Sequence, residues 1–327
     1  AQVPGSTLGS RHQLPHVNVF LRLRPPEQAG EDIRDIFAAT ETNLTVRDPL
    51  SRGRSEQTFS FGRVFLPEHG QEVVFEAVSK PLVERLLWGY NSCCFAYGQT
   101  GSGKTHSVFG EGNSEQRGML ARSMECLFEG VEQQASHKEV GMVVSFLEIY
   151  LDQVRDLGRF YTSRRQHTSS GIASASGTPT AAGSASQPGF RVRPESAGRC
   201  NSSGTLGEAS DAYLSQDLAI HESPQGLVFV EDLSLIPVSN IREVLDVANL
   251  GVKMRATYET RLNARSSRSH TIFKVSIVQK PRTSTKSVVG STISFVDLAG
   301  SERLARSQSE GRRFQEAAVI STSLAAL

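Results

Sequence analysis

The sequence predicts a wound α/β fold, a central mixed sheet with helices on both faces. Three observations carry this reading. An apolar run at residues 93–97 leads directly into a glycine-rich turn, Gly98-x-x-x-x-Gly103-Lys104-Thr105. Strand-like and helix-like segments alternate on both sides of that turn. A second apolar strand, at residues 293–296, ends in Asp297-Leu298-Ala299-Gly300. Alternation of this kind folds with helices packed on a sheet, and ligands then bind at the carboxyl ends of the strands.

The elements follow in order. Residues 1–15 are polar, with Pro4, Gly5, Gly9 and Pro15, and read as a flexible leader. Val17, Val19, Leu21 and Leu23 recur at period two, giving a first strand that stops at Arg24-Pro25-Pro26. Between residues 72 and 87, Val74, Val78, Leu82 and Leu86 recur at helical spacing, and Pro81 should kink that helix. After the glycine-rich turn, residues 120–133 read as a helix and 143–149 as a buried strand.

Composition changes abruptly at residues 158–217, where Ser, Gly, Ala and Thr dominate, as in Ser169-Ser170-Gly171-Ile172-Ala173-Ser174-Ala175-Ser176-Gly177. So few apolar side chains cannot offset the entropy of ordering, so the segment reads as a disordered insertion within one domain spanning 16–327. A strand at 227–230 follows. Asn240 then starts a helix, with Glu243 as capping-box partner and Ile241, Val244, Leu245, Ala248 and Val252 as its apolar face. Strands at 271–278 and 292–296 come next. A last helix carries Phe314, Ala317, Ile320, Leu324 and Leu327.

Composition narrows the function. Of 327 residues, 35 are basic and 34 acidic, a net charge of +1, so bulk electrostatics points to no nucleic-acid partner. Any polyanionic partner must meet a local patch. No apolar run reaches the length of a membrane span, and the first residues lack a signal-peptide core. Cys93, Cys94, Cys126 and Cys200 form no metal-ligand spacing. The first two read as buried reduced thiols in the strand before the turn, which suits a reducing, cytosolic compartment. The sequence begins at Ala1 and reads as processed or as part of something longer.

The chemistry lies in three segments. In the first, glycines let successive N–H groups turn inward onto phosphate oxygens. Lys104 can then reach the β/γ-phosphates, and the Thr105 hydroxyl can bind Mg²⁺. The second is Asn263-Ala264-Arg265-Ser266-Ser267-Arg268-Ser269-His270, just before a strand. Its hydroxyls can ligate Mg²⁺ and orient water, although alone the string fits a serine-rich turn equally well. The third is Asp297-Leu298-Ala299-Gly300-Ser301-Glu302, where an Asp at a strand end suits a supporting Mg²⁺ role and Gly300 lets a backbone N–H approach a γ-phosphate.

Taken in order, these segments resemble the kinesin motor domain. Gly89-Tyr90-Asn91, residues 95–106, Asn263 with 266–270, and 297–302 carry the resemblance. Arg22-Leu23-Arg24-Pro25 and Phe146-Leu147-Glu148-Ile149-Tyr150 add to it. It implies a P-loop NTPase-type central mixed sheet flanked by helices on both faces, and a microtubule-stimulated ATPase with Mg²⁺-ATP as ligand, working in the cytoplasm on the microtubule cytoskeleton. Arg22, Arg24, Pro25 and His106 would border adenine and ribose, and Gln99, Thr100, Gly101, Ser102, Gly103, Lys104 and Thr105 would form the phosphate loop. Thr105 and Ser267 would hold Mg²⁺, with Asp297 on a Mg²⁺-bound water. Asn263, Ser266 and Gly300 would line the γ-phosphate, and Arg268 would pair with Glu302 to close the site. Arg303, Arg306, Arg312 and Arg313 would face the acidic microtubule, although a charge run also fits a plain solvated face.

Three departures from the family pattern stand out. One is the insertion at 158–217. Another is Val319-Ile320-Ser321-Thr322-Ser323-Leu324, where the family reads Asn-Ile-Asn-Lys-Ser-Leu. The third is that the C-terminal part of the motor fold, with its neck linker and coiled coil, is expected beyond Leu327. The alternative function is a non-motile nucleotide- or microtubule-binding protein with little ATPase activity. Direction of travel, cargo and oligomeric state are not encoded in these residues.

Overall fold

A computed structural model describes residues 17–26, 37–47, 56–111, 115–151, 153–172, 217–262, 268–283 and 287–302. The chain divides into two compact units, Ala1–Val78 and Ser79–Leu327.

In the first unit, β1 (Phe20–Arg22) pairs in parallel with β5 (Arg63–Phe65). β2 (Phe37–Ala39), β3 (Asn43–Arg47) and β4 (Glu56–Ser60) form a three-stranded antiparallel sheet. α1 (Gln71–Val78) buries Val74 and Phe75. The first strand is shorter than the alternation at 17–23 suggests, because only Phe20, Leu21 and Arg22 find a pairing partner.

The second unit is built on a six-stranded mixed sheet. Its strands run in the order β11 (Ile236–Pro237), β7 (Lys138–Tyr150), β12 (His270–Pro281), β13 (Val289–Asp297), β6 (Ser92–Ala96), with β8 (Gln153–Asp156) also on β7. β13 and β6 are parallel, so both point their carboxyl ends the same way, and β12 runs antiparallel to both of its neighbours, β7 and β13. The helices are α2 (Lys80–Leu87), α3 (Lys104–Val108), α4 (Met119–Gln133), α5 (Arg159–Ile172) and α6 (Ile241–Leu262). β9 (Ile220–Glu222) and β10 (Val228–Val230) make a separate antiparallel hairpin.

Alternation along β12 puts Phe273, Val275 and Ile277 on one face, at 1% exposure or less. α2 lies over this face: the Ser291 hydroxyl donates to Leu86 O at 2.8 Å and the Gln279 amide donates to Leu87 O at 3.1 Å. α6 approaches it at Gly251, where any Cβ would collide with the Phe146 ring. The helix predicted at 72–87 is two helices, α1 and α2. Pro81 lies in the first turn of α2, where a missing N–H costs no bond, so the chain restarts rather than kinks.

Helix α5 occupies the start of the stretch where composition argued against order. Its first turn is fixed by Asp156 Oδ1, which accepts from the Gly158 and Arg159 N–H groups at 2.9 and 3.1 Å. The local sequence Arg159-Phe160-Tyr161-Thr162-Ser163-Arg164-Arg165-Gln166 still favours a helix, and the Ser/Gly bias begins only after it. Residues 173–216 lie outside the described set. At the start of α6, Asn240 Oδ1 accepts from the Glu243 N–H at 3.0 Å as the capping box requires, but Glu243 reaches back to Ser239 N at 2.8 Å instead of Asn240.

Candidate nucleotide site

The site sits where β6 and β13 end side by side, with Asp297 in register with Ala96. The turn leaving β6 needs left-handed backbone twice, at Gly101 (φ 79°) and Gly103 (φ 93°), and a side chain would strain both positions. Gly103 then caps α3, so Lys104 and Thr105 emerge in its first turn. The Lys104 Nζ donates to Gly98 O and Gln99 O, each at 2.9 Å, which holds the ammonium inside the loop. Burial pulls its pKa below the usual lysine value, with Arg255 adding to that pull and Asp297 and Glu302 opposing it.

The segment leaving β13 is tied to this loop by backbone. Leu298 N donates to Ala96 O at 3.3 Å and Ser301 N donates to Gly98 O at 3.1 Å. Side chains add two further ties. Thr105 Oγ1 donates to Asp297 Oδ2 at 2.7 Å. Glu302 accepts from the Thr100 N–H at 2.9 Å and from the Thr100 hydroxyl at 2.6 Å. Partial burial pushes the Glu302 carboxyl up, but those two bonds and the charge of Lys104 together hold it below the usual glutamate value. Gly300 is packed so closely that a Cβ there would run into the Glu302 carboxylate and the Thr100 hydroxyl.

Behind Asp297 lies a buried arginine that motif reading did not single out. Arg255 Nη1 donates to Asp297 Oδ2 at 2.9 Å, and its Nη2 donates to Ser269 O at 3.2 Å. Its signal was present in the helical periodicity: Val244, Val247, Ala248 and Gly251 form the buried stripe of α6, and Arg255 continues that stripe with a charge. His270 also joins the two segments, its Nδ1 accepting from Ala299 N at 3.0 Å. That bond requires the imidazole to carry its proton on Nε2. Burial lowers the His270 pKa, Arg255 lowers it further, and Asp297 opposes both.

The structure therefore brings together Thr100, Lys104, Thr105, Asp297, Gly300 and Glu302. Arg22 lies in β1 of the first unit and donates to Gln71 Oε1 at 2.8 Å, and burial lowers its pKa. Arg24 and Pro25 follow as exposed residues. His106 pairs through Nε2 with Gln116 Oε1 at 3.0 Å. Arg268 is half-buried just before β12. Asn263, Ser266, Ser267, Arg303, Arg306, Arg312 and Arg313 lie outside the described residues. Of the cysteines expected to be buried, Cys94 is and Cys93 is exposed, because neighbours along a strand point to opposite faces.

The chain matches the family model described as the kinesin motor domain over residues 22–175 and 206–327. The chain belongs to the kinesin motor domain family. It is 31% identical over 324 residues to kinesin-related protein 2 of Dictyostelium discoideum, covering 95% of this chain and 36% of that protein. It is 32% identical over 314 residues to kinesin-like protein KIN-14F of Oryza sativa subsp. japonica, covering 95% of this chain and 26% of that protein. A solved structure titled "Structure of a fast kinesin: Implications for ATPase mechanism and interactions with microtubules" superposes with a TM-score of 0.68 at 28% identity, covering 93% of this chain and 71% of that one. The chain thus spans about a third of the first of these relatives and about a quarter of the second. Kinesin motor domains in general bind Mg²⁺-ATP and act with microtubules. The family match breaks only between residues 175 and 206, so it includes α5. No described helix is long and apolar enough to cross a membrane.

Proposed function

We propose that this kinesin domain binds and hydrolyses Mg²⁺-ATP and couples the nucleotide state to microtubule binding. The observation that carries the proposal is the Thr105–Asp297 hydrogen bond of 2.7 Å across the ends of two parallel strands. It joins a hydroxyl and a carboxylate suited to Mg²⁺ and its water, and Asp297 Oδ1 is buried with no hydrogen-bond partner among the described residues. An oxygen left that way in so dry a place fits a cation or its water. The donor set therefore suits Mg²⁺, with Thr105 and Ser267 holding it and Asp297 beside it. Mg²⁺, when bound, supplies charge neutralisation at the phosphates.

The chain's own residues do the rest. Lys104 exchanges its carbonyl partners for phosphate oxygens, and Gly101, Ser102 and Gly103 offer backbone N–H groups. Gln99 and Thr100 complete the loop, while Arg22, Arg24, Pro25 and His106 border the base. Gly300 presents a backbone N–H to the γ-phosphate, with Asn263 and Ser266 opposite. Glu302 leaves Thr100 to pair with Arg268, and the closed pair orients the attacking water. Loss of the γ-phosphate reopens it, which is how chemistry reaches the rest of the domain. Residues 16–327 act as one motor domain with the 158–217 segment inserted in it. Arg303, Arg306, Arg312 and Arg313 meet the acidic track, and the protein works on cytoplasmic microtubules.

Steady-state phosphate release with and without taxol-stabilised microtubules tests this reading. Stimulation by microtubules is expected; nucleotide binding with no stimulated turnover in a protein carrying its full C-terminal sequence would leave only a non-motile binder.

A further inference from the structure

Four charged side chains run in a line from the outer edge of the sheet to the nucleotide site. Strand register sets the line. Arg155 on β8 pairs with Glu148 on β7, Glu148 with Thr271 on β12, and Thr271 with Asp297 on β13. Paired residues share a face, so the two carboxylates flank Thr271, two strand spacings or about 10 Å apart. Arg255 reaches down from α6 and spans that gap. Its Nη1 lies 2.9 Å from Asp297 Oδ2 and its Nε 3.8 Å from Glu148 Oε1. Arg155 Nη1 lies 3.9 Å from Glu148 Oε2. The Glu148, Arg255 and Asp297 side chains are 5%, 6% and 1% exposed.

So dry a row of alternating charge is costly to build, because each ion loses its hydration. A core of the same size could be apolar at lower cost. What this one does is hold a single carboxylate in place. Arg255 and Thr105 both donate to Asp297 Oδ2, which fixes the group's orientation and leaves Oδ1 with no hydrogen-bond partner among the described residues. A cation that close also cancels much of the carboxylate's charge. Glu148 counteracts this by holding the other side of the same guanidinium.

We infer that Glu148 is a positioning residue for the Mg²⁺ pole of the site: by holding the other side of Arg255 it keeps Asp297 correctly turned to support the metal, with its negative charge only partly offset by the guanidinium. This rests on the nucleotide reading given above. Arg155 acts with opposite sign, since it draws Glu148 away from Arg255. Because Arg155 lies on β8, immediately before Asp156 and the start of α5, the row also ends beside the inserted segment.

The test titrates Mg²⁺ against a fluorescent mant-ATP probe in the intact chain, with an EDTA arm. E148Q is expected to raise the Mg²⁺ concentration at half-effect by about tenfold, the usual size of a supporting-residue loss at a metal site. Probe affinity in EDTA should stay within about twofold of wild type, and E148D should recover most of the shift. R155Q, which keeps Glu148 and Arg255, should move the half-effect point the other way. It also provides a reading should E148Q fail to fold. Equal weakening of E148Q in Mg²⁺ and in EDTA, an unshifted titration, or R155Q moving in the same direction as E148Q would each overturn the inference while leaving the nucleotide reading intact. A wild-type chain that binds no probe in either arm would overturn both.

Discussion

The Phe146–Phe273–Phe295 row and the Glu148–Thr271–Asp297 row cross the same three strands, two residues apart and on the same face. Both are sealed: the three phenylalanines are 0% exposed and the polar trio no more than 4%. The first row does what a sheet interior normally does, with Phe146 and Phe273 stacked edge to face at 5.2 Å between ring centroids. The second carries two carboxylates where hydrocarbon would be cheaper. Equal burial with opposite chemistry separates the part of the sheet that holds the fold from the part beside the candidate nucleotide site. The polar row lies toward the carboxyl ends of β7 and β13 and at the amino end of β12.

The largest expected effect is on the apolar row. Phe273→Ala should cost about 3–5 kcal/mol of stability, read as a shifted urea midpoint with an unchanged slope. A cost below about 1 kcal/mol would mean the core is not centred there. At the ligand end the effect should move from stability to chemistry. Glu302→Ala should slow hydrolysis by roughly 10²–10³-fold while sparing ATP binding, and equal loss of both would refute the latch assignment.

Thr271→Val tests the polar row directly. The Thr271 Oγ1 is buried without a hydrogen-bond partner among the described residues, so replacing it with a methyl should be neutral or stabilising by about 1 kcal/mol. Clear destabilisation would show that the hydroxyl supports the charges beside it. A gentler probe is pH. The folded pKa of His270 lies below its ordinary 6.5, so the unfolded chain takes up the proton first. The stability linked to this group is thus complete above about pH 6.5 and drains away as pH falls from there toward the depressed folded value. A melting series from pH 7.5 to 5 should decline less in His270→Gln than in wild type; parallel curves would remove His270 from the account. The smallest effect concerns thiols. Burial, with Cys93 beside it, pushes the Cys94 pKa up to about 12, and burial also raises Cys93, which is nonetheless exposed. Iodoacetamide at neutral pH should label Cys93 slowly and leave Cys94 untouched until the protein unfolds.

Much of this was legible in the residues. Gly98 to Thr105 needed only local signals to be read as a tight turn after a strand, and Gly101 and Gly103 do take left-handed backbone there. The strand ending in Asp297 was equally local. Where the reading was incomplete, the missing information was long-range. The split at Pro81 depended on where a helix could restart. Helix α5 depended on Asp156 capping a stretch that composition alone assigned to disorder. Arg255 was visible as a charge on an apolar stripe, but its partners are 42 residues away at Asp297 and across the sheet at Glu148.

By itself, the sequence determined the wound α/β class, the glycine-rich turn after β6 and the kinesin family. These follow from short-range signals: period, glycine placement and motif spacing. Only the tertiary structure decided that Thr100 holds Glu302, that Thr105 meets Asp297, and that Arg255 is shared between Asp297 and Glu148. Strand register and helix packing set those distances, and no local pattern in the chain specifies either one.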